Sequence, residues 1–214
     1  MNIGVIGGGV WGSALARLLS NNKVIIFARD EKVVKSINEY HFNPKLKYVV
    51  FNKNVSAQTN MTLISEMDCI FVALPSQNIR DVFSLIDLKK KDQEIIIASK
   101  GIEIKSSLLL SDVLKEFTSS ANISILSGPC FSDEVARNLP TAVTFASKNK
   151  NSFNTIGSLI SNKNFRMYYS DDLIGCQIGG ALKNIYAIAA GITMGLNLGE
   201  NAKSALITRA FLEI

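Results

Sequence analysis

Histidine, tryptophan and proline are scarce in this chain: one His, one Trp and four Pro among 214 residues. With His41 the lone histidine, a histidine–cysteine metal cluster is not expected. The three cysteines, Cys69, Cys130 and Cys176, contain no Cys-x-x-Cys pair. Their odd number and scattered spacing read as reduced thiols, which points to a cytoplasmic protein. His41, beside Phe42 and Asn43, reads as a surface loop residue. Charged residues are also few, 19% against 47% hydrophobic, so a globally disordered chain is excluded and a well-filled core is expected. The formal net charge of +5 fits attraction to phosphorylated small molecules. Nucleic acid is not an expected partner: Lys89-Lys90-Lys91 is the one tight basic cluster, lacks interleaved aromatics and reads as a solvated turn. No basic region precedes the first apolar run, so a signal peptide is not expected. Nor is stable membrane insertion. The uncharged stretch after Lys183 falls short of the roughly 20 residues a span requires, and glycines, Asn184 and Asn197 interrupt it.

What the chain does have is alternation. Residues 2–6, 24–27, 68–74, 94–99 and 123–126 read as buried strands, with 141–145 and 165–169 as later strands of the same sheet. Helical patterns over 12–20, 31–38, 77–86, 106–117, 131–138 and 152–161 separate them. Strands nearly continuous in Ile and Val are buried on both faces, as in a parallel sheet. The fold class expected is therefore α/β: a doubly wound Rossmann sheet over residues 1–170. After Ser170 the pattern turns wholly helical. Asp171 is the expected N-cap of a helix reaching at least Met194, and a second helix starts near Asn201 and reaches Ile214 without a stop signal. Residues 171–214 thus read as the start of an all-α substrate domain, incomplete at its end. The 40–60 stretch reads as a long polar loop.

Gly7-Gly8-Gly9-Val10-Trp11-Gly12 contains GxGxxG, placed after a strand and at the opening of a helix. In that context the pattern is specific for dinucleotide binding. Gly7 allows the tight turn, Gly9 lets the backbone approach a pyrophosphate, and Gly12 lets helix and strand pack closely. The end of the second strand runs into Ala28-Arg29-Asp30. Arg29 there would pair with the 2′-phosphate of NADP; Asp30 would instead bind the ribose 2′-hydroxyl of NAD. NADP(H) is the preferred expectation and NAD(H) the alternative.

Lys183 is the only charged residue between Asp172 and Glu200. Burying an unpaired ammonium costs on the order of several kcal/mol, so such a lysine is paired, reaches the surface or transfers protons.

With these segments assembled, the chain resembles the bacterial NAD(P)-dependent glycerol-3-phosphate dehydrogenase family over nearly its whole length. The resemblance rests on the 7–12 fingerprint with Trp11, on Pro75-Ser76, and on Ser99-Lys100-Gly101-Ile102-Glu103. It rests also on Ser127-Gly128-Pro129-Cys130-Phe131 with Glu134, on Leu139-Pro140-Thr141-Ala142, on Gly179-Gly180-Ala181-Leu182-Lys183-Asn184, and on 201–209. It implies interconversion of dihydroxyacetone phosphate and sn-glycerol 3-phosphate, feeding phospholipid synthesis. Lys183 is implied as the proton donor or acceptor. Lys100 is implied as a ligand of both substrate and cofactor, with Gly128, Cys130 and Asn184 at the substrate. Val10, Trp11, Pro75, Phe131 and Ser132 are implied at the cofactor; for Trp11 and Phe131 core packing is the competing reading. Cys130 stands where the family has Ser or Thr, and a thiol is the poorer donor. Ser132 replaces a common alanine. The family's later helical half, with an acidic residue and an Arg-Asn pair for the substrate phosphate, has no counterpart in this sequence. Two alternatives follow. One is a truncated dinucleotide-binding remnant without turnover. The other is a different dehydrogenase with a similar Rossmann half, such as a ketopantoate reductase or a hydroxyacyl-CoA dehydrogenase; Ser-Lys-Gly and Gly-Gly-Ala-x-Lys-Asn argue against it. The apolar helix after 173 needs covering, and a homodimer is one way to cover it.

Overall fold

The computed structural model describes every residue except Lys47, Lys89, Ser161 and Ile214. The first lysine of the 89–91 cluster, the last residue of the helix expected at 152–161 and the chain end at Ile214 therefore lie outside the described residues. In chain order the elements are β1 (Asn2–Ile6), α1 (Val10–Leu18), β2 (Lys23–Phe27), α2 (Glu31–Tyr40), β3 (Val55–Gln58), β4 (Cys69–Val72), α3 (Ile79–Phe83) and β5 (Glu94–Ile97). They continue with α4 (Leu110–Lys115), β6 (Asn122–Ser127), α5 (Ser132–Ala136), β7 (Thr141–Ser147), α6 (Lys150–Leu159), β8 (Phe165–Ser170), α7 (Leu173–Gly195) and α8 (Gly199–Glu213).

Among the described residues the strands form one eight-stranded sheet in the order β3-β2-β1-β4-β5-β6-β7-β8. This is the doubly wound order, with its topological switch between β1 and β4. Alternate side chains of the central strands enter two cores. Ile3, Val5, Cys69, Phe71 and Ile96 pack on one face with α1 and α2. Ile6, Ile70, Val72, Ile95 and Ile97 pack on the other with α3 and α4. Burial on both faces is why these strands read as unbroken apolar runs.

Five expectations change. The sheet is mixed: β6 and β7 are antiparallel, while β7 and β8 are parallel. The connection between β6 and β7 holds only the five-residue α5, too short to carry the chain back along the sheet for a parallel return. The 40–60 stretch contains β3, which pairs with β2 at the sheet edge; its sequence, Val-Ser-Ala-Gln, is too short and mixed to stand out. The N-cap of α7 is Asp172, whose carboxylate accepts from the Gly175 N–H at 2.9 Å, not Asp171. Helices expected at 77–86, 106–117 and 131–138 are shorter. Ser107 and Asn138, both at positive φ, lie outside the helical segments there. His41 is half-buried rather than a surface loop residue, and it caps α2 in the left-handed conformation.

Helix α7 docks on the sheet by its first turns. Leu173, Gln177 and Gly180 are its buried residues. The Gln177 carboxamide accepts from the Ser111 N–H (3.0 Å) and donates to the Ser111 hydroxyl (2.9 Å). Further along, Ile185, Ile188, Ile192 and Met194 are exposed, as are Phe211 and Leu212 of α8. By length and composition α7 is long and apolar enough to cross a membrane, more than the count from Lys183 onward anticipates.

At the opposite ends of the strands from the glycine turn, Glu94, the first residue of β5, is buried. Its Oε1 accepts from Asn122 (3.0 Å) and Ser152 (2.9 Å), while Oε2 has no partner among the described residues. Burial pushes its carboxyl above the usual range, against the two hydrogen bonds that lower it. A raised native pKa means that the folded state keeps a proton the unfolded chain has released, so this group costs stability as pH rises through the window above 4.5. Glu94→Gln should therefore gain on the order of 1 kcal/mol at pH 8, with the gain vanishing at pH 4. Denaturant unfolding at both pH values checks this; a pH-independent difference would contradict it.

Candidate active site

The glycine turn joins β1 to α1 at the switch point. Gly7 has φ +126°, and a Cβ there would lie 2.4 Å from the Ala73 carbonyl oxygen. A Cβ on Gly12 would lie 1.9 Å from the Gly7 carbonyl oxygen, so α1 can start this close to β1 only without a side chain. At Gly9 nothing stands within 4 Å of such a Cβ, which leaves that backbone open to the cleft. The cleft, about 770 Å³, is lined on one side by Gly7, Gly8, Gly9, Ala28, Arg29, Asp30 and Lys45, and on the other by Leu74, Pro75 and Asn78. A closed turn, an open Gly9 and the first N–H groups of α1 fit the pyrophosphate of a dinucleotide.

At the end of β2 the two candidate residues both line the cleft and differ in their partners. The Asp30 carboxylate accepts from the Lys32 N–H at 3.0 Å and caps α2. Arg29 is exposed and has no ion-pair partner among the described residues. The indole N–H of Trp11 donates to the Ala98 carbonyl at 2.9 Å, and its ring packs on the core, so Trp11 locks α1 to the end of β5. Val10 opens α1 and is exposed.

The far wall of the cleft is fastened to the loop that carries Lys100. The Ser99 hydroxyl donates to Leu74 O (2.6 Å) and accepts from Leu74 N–H (3.0 Å). The Gln77 carboxamide donates to Ile102 O (2.8 Å) and accepts from the Ile104 N–H (2.9 Å). Arg80 pairs with the buried Glu103 at 2.8 Å and with Glu116. That guanidinium holds both carboxyls below their usual range.

Lys100 is half-buried, and its Nζ donates to the Gly128 carbonyl at 2.9 Å. Burial is the main cause that lowers its pKa, and Lys183 pushes the same way. Burial likewise raises the Cys130 thiol, while Lys100 and Lys183 draw it down. The Cys130 Sγ lies 3.3 Å from Gly128 O. Helix α7 crosses this turn at Gly180, where a Cβ would lie 3.0 Å from the Ser127 hydroxyl and 3.7 Å from the Lys100 stem. One turn later Lys183 sits with its ammonium 5.8 Å from the Phe131 ring centre. Lys183 is exposed, so the burial cost expected from its apolar surroundings does not arise; α7 buries only its first turns here. Phe131 is 66% exposed, which excludes core packing. Ser132 begins α5, and Asn184 is exposed beside Lys183.

The structure thus brings Lys100, Gly128, Cys130, Phe131 and Lys183 together, and gathers Gly7, Gly9, Arg29 and Pro75 in the neighbouring cleft. Trp11 does not line that cleft. Lys45 and Asn78 do, and neither belongs to a pattern that sequence reasoning recognises. Comparison with known proteins gives the family. Residues 2–153 match the NAD-dependent glycerol-3-phosphate dehydrogenase N-terminus, and residues 172–214 match the C-terminus of the same family. The chain belongs to this family. Among curated relatives, the glycerol-3-phosphate dehydrogenase [NAD(P)+] of Novosphingobium aromaticivorans is 39% identical over 99% of the chain. That of Neorickettsia sennetsu is 40% identical over 98%. The crystal structure of the Coxiella burnetii glycerol-3-phosphate dehydrogenase, 34% identical, superposes with a TM-score of 0.89 over 99% of this chain and 66% of that one. The chain spans 63–65% of the length of the first curated family members it matches.

Gly12→Ala tests the turn. Its methyl group would meet the Gly7 carbonyl, a backbone atom with little freedom to move. Stability should fall by about 1–3 kcal/mol and dinucleotide binding should weaken with it. Unfolding and equilibrium binding measured together check this, and an Ala variant with unchanged values on both would show that the turn yields.

Proposed function

We propose that this chain is the dinucleotide-binding domain, residues 1–170, and the start of the helical substrate domain, from 171, of an NAD(P)-dependent glycerol-3-phosphate dehydrogenase. The reaction is the interconversion of dihydroxyacetone phosphate and sn-glycerol 3-phosphate in the cytoplasm, feeding glycerophospholipid synthesis. One observation carries the reading: Lys183 on α7 faces the turn that holds Lys100, Gly128 and Cys130, beside the glycine-lined cleft. The names of the curated relatives support it.

A nicotinamide, when bound, would supply or take up the hydride. The rest falls to the chain. The Lys183 ammonium gives a proton to the ketone oxygen on reduction and takes it back on oxidation, and its charge stabilises the developing alkoxide. Lys100, held on the Gly128 carbonyl, offers its remaining N–H bonds and its charge to the substrate. Cys130 presents a thiol toward the same turn, with Asn184 one residue beyond the proton donor. Val10, Gly9 and Gly12 shape the helix start for the pyrophosphate, Pro75 forms the facing wall, and Ser132 and Phe131 border the nicotinamide end. With Asp30 committed to its cap, Arg29 is free for a 2′-phosphate, so NADP(H) is preferred over NAD(H). A second copy of the chain is one way to cover the exposed apolar side of α7.

Two outcomes test this. In the native protein, NADPH oxidation should depend on dihydroxyacetone phosphate, and Lys183→Ala should lower kcat by about 10²–10⁴-fold with NADPH affinity kept. Nucleotide binding without any turnover would favour the remnant reading instead. Arg29→Ala should weaken NADPH by about tenfold or more and leave NADH nearly unchanged in equilibrium titrations. Equal losses for both would remove the preference assigned to Arg29.

A further inference from the structure

The loop between α2 and β3 is fastened to the glycine turn. Asn43 is fully buried, and its side-chain amide donates to the Gly8 carbonyl at 3.1 Å and to the Ser13 hydroxyl at 2.7 Å. Its carbonyl oxygen accepts from the Lys45 N–H at 2.9 Å, and its backbone carbonyl accepts from the Leu46 N–H at 2.8 Å. Leu46, Val49 and Phe51 then enter the core beside α1 and β2. Phe42 bridges Val50 in antiparallel fashion, and the Phe51 N–H donates to His41 O at 2.7 Å. The backbone at Lys45 is therefore set by buried contacts, while its side chain is exposed and lines the cleft with Arg29.

Neither Lys45 nor Arg29 has an ion-pair partner among the described residues. The cleft also holds two carboxylates, Asp30 and Asp81. A ribose 2′-phosphate carries between one and two negative charges at neutral pH. One guanidinium next to Asp30 offsets only part of that charge, so a second cation at the same cleft is what a 2′-phosphate requires.

We propose that Lys45 is a specificity-determining residue, the second cation that, with Arg29, holds the 2′-phosphate of the adenosine ribose. Arg29 follows β2, and Lys45 is delivered from the loop beyond α2 by the Asn43 tie to the glycine turn. The inference rests on the dinucleotide reading above and adds to it a residue 18 positions beyond the end of β2, where such residues are sought.

The test is equilibrium titration of the chain and of Lys45→Met and Lys45→Arg with four ligands: NADPH, NADH, 2′,5′-ADP and 5′-AMP. Lys45→Met should weaken NADPH and 2′,5′-ADP by about tenfold and leave NADH and 5′-AMP within about twofold. Lys45→Arg should bind all four nearly as the parent does, and the Met-variant deficit should shrink at high salt. Equal loss across all four ligands, or no loss with NADPH, overturns the proposal while leaving dinucleotide binding intact. A parent chain that binds neither NADPH nor NADH overturns the underlying reading, and this inference with it. Lys45 is exposed and outside the core, so both variants are expected to fold; circular dichroism confirms it.

Discussion

The close approach of α1 to β1 is the constraint on which the site depends. It exists because Gly12 sets no side chain against the Gly7 carbonyl, and because Gly7 turns the chain at positive φ beneath Ala73. From that contact two ties radiate. The Trp11 indole holds α1 to the end of β5 at Ala98. Asn43 holds the loop after α2 to Gly8 and Ser13. The open backbone at Gly9 faces the cleft that these ties frame. A turn loosened at Gly12 would therefore disturb more than a phosphate contact, since the cleft walls take their positions from it.

The second half of the site is built by a different device. The wall at 74–80 and the loop at 99–104 are joined by a serine hydroxyl, a carboxamide used as a backbone mimic, and an Arg80–Glu103–Glu116 ion-pair network. Arg80 and Glu116 stand near the surface, where such pairs contribute little to stability. Their effect is geometric: they fix the loop that begins at Lys100 relative to the cleft wall at Pro75. The cleft wall and the loop at Lys100 are thus parts of one clamped unit.

Helix α7 shows what a helix does when only its start has a partner. Gln177 and Gly180 seat it on Ser111 and Ser127, and this brings Lys183 over Phe131. Beyond that point Ile185, Ile188 and Ile192 face outward. The reach of Lys183 is consequently set by contacts within two turns of it, all of them present in this chain.

The sequence by itself determined the α/β alternation and the glycine turn, because both follow from local chemistry: apolar runs that must be buried on two faces, and backbone positions that tolerate no side chain. It also marked Lys100, Lys183 and the 127–131 turn, through their likeness to a known family. It left open whether Arg29 or Asp30 meets the ribose; the tertiary structure adds that one carboxylate oxygen of Asp30 caps α2 while Arg29 has no ion-pair partner among the described residues. The antiparallel turn of β7 depends on how far a five-residue helix can carry the chain, a matter of length in space. The Trp11 indole donates to the Ala98 carbonyl, 87 residues away in sequence, a tie that no local pattern announces. Lys45 sits in a stretch without periodicity, and its place at the cleft follows from a buried asparagine whose partners lie some 30 residues earlier. Such long-range hydrogen bonds leave no local pattern in a chain. They are settled only when the sheet brings distant segments together and each buried polar group must find a partner.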